Sequence, residues 1–244
     1  MRKWLALLLL VPGISFAAGS NHPLDAVDID LRDQASLQNG AKIFMNYCLG
    51  CHQMQYQRYQ RTFNDLGIPE ELGVEYLQFT GEKVSDYITS PMPATDSATW
   101  FGAPPPDLTL VARVRGPEWI YTYMRTFYAE EGKTFGVNNL VFPNVGMPHV
   151  LESLQGTPTK VYREKMVDGF IQKTEVFDLQ TPGNGKLSAD EYDATIRDLV
   201  NFLEYTGEPS RLQSESIGKK VLIFLVIFFV FAYLLKKEYW RDIK

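Results

Sequence analysis

A mainly α-helical exported domain followed by one C-terminal transmembrane helix is the fold class this sequence predicts, on three observations. Apolar residues recur at helical spacing in three separate stretches, strand-like patterning is confined to one weak segment, and the last apolar run carries neither charge nor breaker. The first helix is expected from about Asp33 or Ser36 up to Cys48, because Leu37, Ala41, Phe44 and Cys48 fall at i, i+4, i+7 and i+11. The second starts at Pro117, a favoured first helical residue with Glu118 beside it, and Trp119, Tyr123 and Phe127 line one face. The third has the clearest limits. Ser188 and Glu191 have capping-box spacing, Tyr192, Ile196, Leu199, Val200 and Leu203 keep the 3.6 period, and Gly207 with Pro209 ends it. Between Phe170 and Phe177 a short strand is the weak expectation.

The last element is set by composition more than length. Val221 to Leu235 is apolar throughout, and 15 residues at helical rise cover only about 22 Å of a ~30 Å hydrocarbon core. A core helix of a soluble domain keeps a polar stripe. This one is apolar all round, bracketed by Lys219, Lys220, Lys236 and Lys237, with Tyr239 and Trp240 at the level of an interfacial belt. The lysines can snorkel and extend the usable length. At the other end Arg2 and Lys3, the apolar run Trp4 to Val11, Pro12-Gly13 and Ser15-Phe16-Ala17 have the order of a secretory signal.

The expected organisation is therefore a signal peptide at 1–17, cut after Ala17 or Ala18, an exported domain at 18–216, an anchor at 217–239 and a cytoplasmic tail at 240–244. Lys236, Lys237, Arg241 and Lys244 on the tail side suit the positive-inside rule, which leaves the domain on the periplasmic side of a bacterial inner membrane. Without the signal and the anchor region the domain keeps 16 basic against 27 acidic residues, a balance near −11. That excludes a nucleic-acid role and favours a basic soluble partner. No internal repeat divides the roughly 200 residues, which suffice for one core.

The chemistry is concentrated in Cys48-Leu49-Gly50-Cys51-His52. Both cysteines of the chain lie here, two residues apart, and a histidine follows at once. This is the spacing of covalent haem attachment: each thiol adds to one vinyl group of a porphyrin and His52 supplies the proximal imidazole. A redox dithiol would need a βαβ context, and a zinc site would need ligands beyond His22 and His149. Among sixth-ligand candidates, Met54 and Met45 are too close to the motif to reach the other haem face, and Met124 and Met166 fall in stretches read as helical, where methionine is ordinary core filler. Met92 and Met147 remain, each in a proline-flanked loop, with His149 and an open position as further alternatives. Met147, 95 positions after His52 and ahead of the last helix, follows the order of small c-type cytochromes and is preferred.

CLGCH after an amphipathic helix, Pro104-Pro105-Pro106-Asp107-Leu108 followed by Arg113-Val114-Arg115, Phe142-Pro143 before Gly146-Met147-Pro148, and a single C-terminal anchor together resemble the cytochrome c1 family. The resemblance implies a c-type cytochrome fold with one haem c on Cys48 and Cys51, axial ligands His52 and Met147, and Arg113 approaching a haem propionate. It also implies the haem subunit of quinol–cytochrome c oxidoreductase, the cytochrome bc1 complex, with a cytochrome b subunit, a Rieske iron–sulfur protein as electron donor and a cytochrome c as acceptor. The chain would be a redox subunit, making and breaking no substrate bond by itself. There is no second cysteine pair for the stapling disulfide of some relatives, and the stretch from Leu151 to Leu187 is longer than the family core. The alternative is an anchored cytochrome that donates directly to a terminal oxidase or reductase, and a peroxidase or nitrite reductase would require an open sixth position. Glu70, Glu71 and Glu75 are the expected acceptor-docking acids. Asp178 to Gly185 lacks the oxygen ligands of a calcium loop at Gln180 and Pro182 and reads as a turn.

Overall fold

The computed structural model describes residues 22–80, 83–167 and 170–242. The signal-peptide reading of residues 1–17 lies outside them. Helix α1 (Gln34–Ile43) is capped by Asp33, whose carboxylate accepts the Ser36 N–H at 3.1 Å. It runs on as one π-helical turn, Phe44–Cys48, closed by the Leu49 N–H on the Phe44 carbonyl at 3.0 Å. Such a turn inserts one extra residue into the helical ladder and is frequent at functional sites. Here it delivers Cys48 to the core side. Leu37, Ala41, Phe44 and Cys48 are all buried, as their period requires.

In chain order there follow β1 (Met54–Arg58), α2 (Tyr59–Asp65), α3 (Glu70–Leu77), β2 (Tyr87–Ile88), α4 (Ala94–Phe101), α5 (Val111–Arg115), α6 (Pro117–Arg125), β3 (Phe127–Ala129), β4 (Val137–Asn139), α7 (Glu152–Gln155), β5 (Thr159–Val167), β6 (Phe170–Gln180), α8 (Ala189–Gly207) and α9 (Arg211–Tyr239). The strands form three antiparallel pairs, β1 with β2, β3 with β4 and β5 with β6.

The domain is organised by α1 against α8. A Cβ on Gly40 would lie 2.1 Å from the Asp198 carbonyl oxygen and 2.6 Å from the Phe202 Cβ, so at this point only glycine lets the two helices approach so closely. Around that contact Phe44 meets Phe202 at 6.0 Å between ring centroids. The Asp198 carboxylate accepts from Ser36 Oγ at 2.7 Å and from Asn39 Nδ2 at 2.8 Å. The α8 N-terminus carries the expected capping box: Ser188 Oγ accepts the Glu191 N–H and the Glu191 carboxylate accepts the Ser188 N–H at 2.9 Å.

Two expectations are corrected. Phe127 is not on the second helix, which stops at Arg125 where Thr126 leaves helical geometry and its hydroxyl bonds back to the Thr122 carbonyl at 2.8 Å. Phe127 opens β3 instead, and its ring still meets Tyr123 edge-on at 5.1 Å. Met166, read as helical, stands 76% exposed on β5. Pairing with β6 decides its state, a non-local term that no local periodicity carries. The strand expected between Phe170 and Phe177 is the longer β6, and the stretch after Leu151 holds α7 and this hairpin.

Helix α9 begins ten residues ahead of the apolar run and has no buried residue along its 29 positions. At helical rise it is about 43 Å long, enough to cross a ~30 Å hydrocarbon core with its lysines beyond it. Arg211, at its start, pairs with Glu204 of α8 at 2.8 Å.

Candidate functional site

A cavity of about 430 Å³ opens beside the end of α1 and is lined by Cys48, Cys51, His52 and Met147 together with an almost wholly apolar wall from α5, α6, α8 and the 101–108 and 142–150 loops. That volume suits a cofactor-sized ligand. The cysteine turn is closed by the Cys51 and His52 N–H groups, which both donate to the Cys48 carbonyl, at 3.0 and 2.8 Å. Both thiols are free.

His52 is oriented by the proline-rich segment. Its Nδ1 lies 2.8 Å from the Pro106 carbonyl oxygen, and a carbonyl can only accept, so Nδ1 carries the proton and Nε2 keeps its lone pair. Burial pushes the imidazole pKa down, against smaller upward effects of the Pro106 bond and Asp107, which keeps the ring neutral. Asp107 braces the arrangement: its carboxylate accepts the Gln55 N–H at 2.7 Å and the Thr109 N–H at 2.9 Å, and the Leu108 N–H donates to the Gln53 carbonyl at 2.9 Å. The Pro-Pro-Asp-Leu string thus splints the residues after the histidine and presents an acceptor to it, the outer-shell arrangement that fixes the tautomer of a metal-binding imidazole.

Met147 is held from α6, where the Tyr123 hydroxyl donates to its Sδ at 3.3 Å. The rival Met92 is half-buried in a loop tied to the cysteine turn through Ser90 Oγ on the Gly50 carbonyl at 3.1 Å, yet it is not part of the cavity wall. Met45 and Met54 are buried in the core and also outside it, whereas Met124 contributes to the wall. His149 is buried and stacks on Phe127 at 5.0 Å, its Nε2 at 3.2 Å from the Gly156 carbonyl.

Arg113 is placed away from the wall, with its guanidinium 3.5 Å from Glu208 at the end of α8. The charged side chain that does line the cavity is Arg115, whose guanidinium lies 5.0 Å over the Trp119 ring. Two residues apart on one helix, the arginines face different ways. Spacing could have separated them once the α5 register was known. Tyr123 and Trp119 were legible only as an apolar helix face, and the Pro106 carbonyl has no side-chain signature at all. Glu70, Glu71 and Glu75 lie exposed on α3, outside the cavity.

The rival chemistries do not fit this geometry. Burial pushes the Cys48 thiol pKa up to about 12, with the neighbouring Cys51 adding to the effect, and burial also raises Cys51. A dithiol oxidoreductase needs the reverse shift. Among the described residues no group of three or more His, Cys, Asp or Glu side chains converges as a zinc site would. The same residues do fit a haem: two unpaired thiols, a neutral imidazole with a free Nε2, a thioether on the same cavity and one cation at its rim.

This combination defines a c-type cytochrome domain on a membrane anchor. Residues 29–243 match the Cytochrome C1 family, and the chain belongs to that family. It is 49% identical to the cytochrome c1 of Allochromatium vinosum over the whole of both chains. It is also 41% identical to a protein of Nitrosomonas europaea named ammonia monooxygenase gamma subunit, over 100% of this chain and 99% of the relative. A cytochrome b/c1 of Bradyrhizobium diazoefficiens is 26% identical over 86% of this chain and 34% of the relative. Family membership makes the chain a haem c electron-transfer subunit, with the cofactor covalently attached and a C-terminal helix as membrane anchor.

Proposed function

We propose that the chain is the haem c subunit of quinol–cytochrome c oxidoreductase, accepting single electrons from a Rieske iron–sulfur protein and passing them to a cytochrome c beside a cytochrome b subunit. The observation that carries this reading is the convergence of Cys48, Cys51, His52 and Met147 on one apolar cavity in a cytochrome c1 chain. The name cytochrome b/c1 of the Bradyrhizobium relative supports the neighbouring cytochrome b.

When bound, the haem iron supplies a one-electron ferric–ferrous couple. In this reading Cys48 and Cys51 would hold it through thioether bonds, His52 Nε2 and Met147 Sδ would ligate its iron, and the Pro106 carbonyl would keep the His52 proton on Nδ1. The apolar wall excludes water and so favours the state of lower charge, which raises the potential. Arg115 is placed to meet a carboxylate at the rim. The same role for Arg113 requires it to leave Glu208, and an exposed pair of this kind is worth only ~0–1 kcal/mol. The haem domain faces the periplasm after removal of the signal at 1–17, with residues 240–244 in the cytoplasm.

The name of the Nitrosomonas relative supports a second reading, in which the same domain serves a monooxygenase complex. Isolating the intact complex from membranes distinguishes the two. A dihaem cytochrome b and a Rieske protein co-purifying with this chain, and quinol-driven reduction of cytochrome c, are the expected result. Monooxygenase subunits in their place overturn it.

A further inference from the structure

We propose that Asn138 and Asn139 are positioning residues for the thioether ligand: their side-chain carbonyls hold the backbone of residues 141–144 in the course that brings Met147 to the cavity, so that its sulfur is presented ready to bind. The proposal rests on Met147 being the axial ligand, as read above.

From Leu140 to Asn144 the chain has left β4 and entered no other element, so its N–H groups need partners from elsewhere. One goes to the main chain, the Leu140 N–H on the Thr126 carbonyl at 3.2 Å. Pro143 has none. The remaining three are taken by the two asparagines: Asn139 Oδ1 accepts the Val141 N–H at 2.9 Å and the Phe142 N–H at 3.1 Å, and Asn138 Oδ1 accepts the Asn144 N–H at 2.7 Å. Both side chains are buried, Asn139 completely. Asn139 Nδ2 donates to the Tyr123 carbonyl at 2.7 Å, which ties the loop to a helix of the cavity wall. Both ends of this amide are thereby used, and no other side chain of its size offers an acceptor and a donor together. Asn144 is the only non-glycine with positive φ among the described residues, at 63°, a conformation asparagine tolerates, and Lys133 Nζ donates to its Oδ1 at 2.6 Å. Met147 follows three residues later.

A thioether is a weak neutral donor, so its hold on ferric iron depends on how much of the time the loop keeps it in place. Apparent affinity scales with the competent fraction, and ordering the loop beforehand raises that fraction. Asn139→Ala removes the two acceptor bonds and the tie to α6 together. In the purified complex we expect the imidazole concentration that half-abolishes the ferric methionine-to-iron band to fall about tenfold, within what two neutral hydrogen bonds supply, and the band to vanish on heating below the unfolding of the domain. Ser188→Ala, which weakens a helix end remote in sequence from this loop, should leave the imidazole concentration at its wild-type value. If Asn139→Ala matches the wild type, or if both variants fall alike, the proposal is overturned and Met147 stands as ligand. If Met147→Ala retains the band, the ligand reading falls and the proposal with it. Should Asn139→Ala not mature, Asn138 supplies the test through Glu130, whose carboxylate accepts from Asn138 Nδ2. Asn138→Asp keeps the acceptor but sets two carboxylates against each other, and it should ease displacement by imidazole; adding Glu130→Gln returns a donor and should restore the wild-type value. An unchanged single variant, or no recovery in the double, overturns the proposal.

Discussion

Helices α8 and α9 follow one another with three residues between them, yet they solve opposite problems. In α8 the apolar residues form a stripe: Tyr192, Ile196, Leu199, Val200 and Leu203 are buried, Asp190 and Glu191 occupy the first turn, and both ends are fixed. Helix α9 is apolar on every side from Val221 to Leu235 and buries nothing. A stripe is what a helix needs when protein covers one side and water the other; apolarity all round is what it needs when lipid is the solvent. The haem site depends on the first arrangement, since α8 holds α1 and supplies Leu199 and Leu203 to the cavity. Attachment to the membrane depends on the second.

Small-to-large substitution at Gly40 of α1, where it meets α8, and at Gly218 of α9 should separate these roles most strongly. Gly40→Leu forces apart backbones that leave no room for a Cβ, and its cost should reach or exceed the upper end of the ~1–3 kcal/mol usual for overpacking. The expected readout is loss of haem-staining protein from membranes. Gly218→Leu, where a Cβ meets nothing within 4 Å, should leave haem content and thermal midpoint as they are. An equal loss from both would break the comparison.

A charge in the middle of α9 is expected to act in the reverse sense. Phe228→Arg should cost ~3–4 kcal/mol of membrane insertion and release the chain to alkaline carbonate washing, while the haem absorption spectrum of the released domain stays unchanged. Smaller still is the α8 cap: Ser188→Ala removes the acceptor for the Glu191 N–H and should cost about 1 kcal/mol, seen as a lower thermal midpoint of the haem domain.

Alkaline pH offers a milder probe of α8. Burial raises the pKa of Tyr192, whose hydroxyl donates to the Met124 carbonyl at 2.9 Å, and of Tyr205, which donates to Asp65 at 2.8 Å. A phenol whose folded pKa is raised contributes stability that is complete below its unfolded value of about 10 and is lost as pH rises beyond it. The midpoint of unfolding should therefore fall from about pH 10 upward, and Tyr192→Phe should flatten that fall.

The same contrast explains what could be read from residue order. Helices α1, α6 and α8 were legible because one-sided burial writes a 3.6 period into the chain, and α9 because lipid on all sides erases it. Of the β5–β6 hairpin only a short stretch of β6, from Phe170 to Phe177, was legible, since the strands owe the rest of their state to each other. Within the site, Cys48, Cys51 and His52 were legible because covalent attachment demands fixed spacing along the chain. Met147, the proposed sixth ligand, could only be narrowed to, as a side chain 95 residues away needs the fold to place it on the cavity. The Pro106 carbonyl and the Tyr123 hydroxyl act through positions whose residue types say nothing of that use, and Arg113 and Arg115 could not be told apart without the direction of α5.

The central claim, that His52 and Met147 hold one haem c in the cavity beside α1, is tested most directly by the potential and absorption of Met147→His in the purified complex. Replacing a thioether with a second imidazole should abolish the methionine-to-iron band, lower the midpoint potential and stall electron acceptance from the proposed Rieske donor while the haem remains bound in a denaturing gel. A variant that keeps the band and the wild-type potential would contradict the account and move the sixth ligand away from Met147.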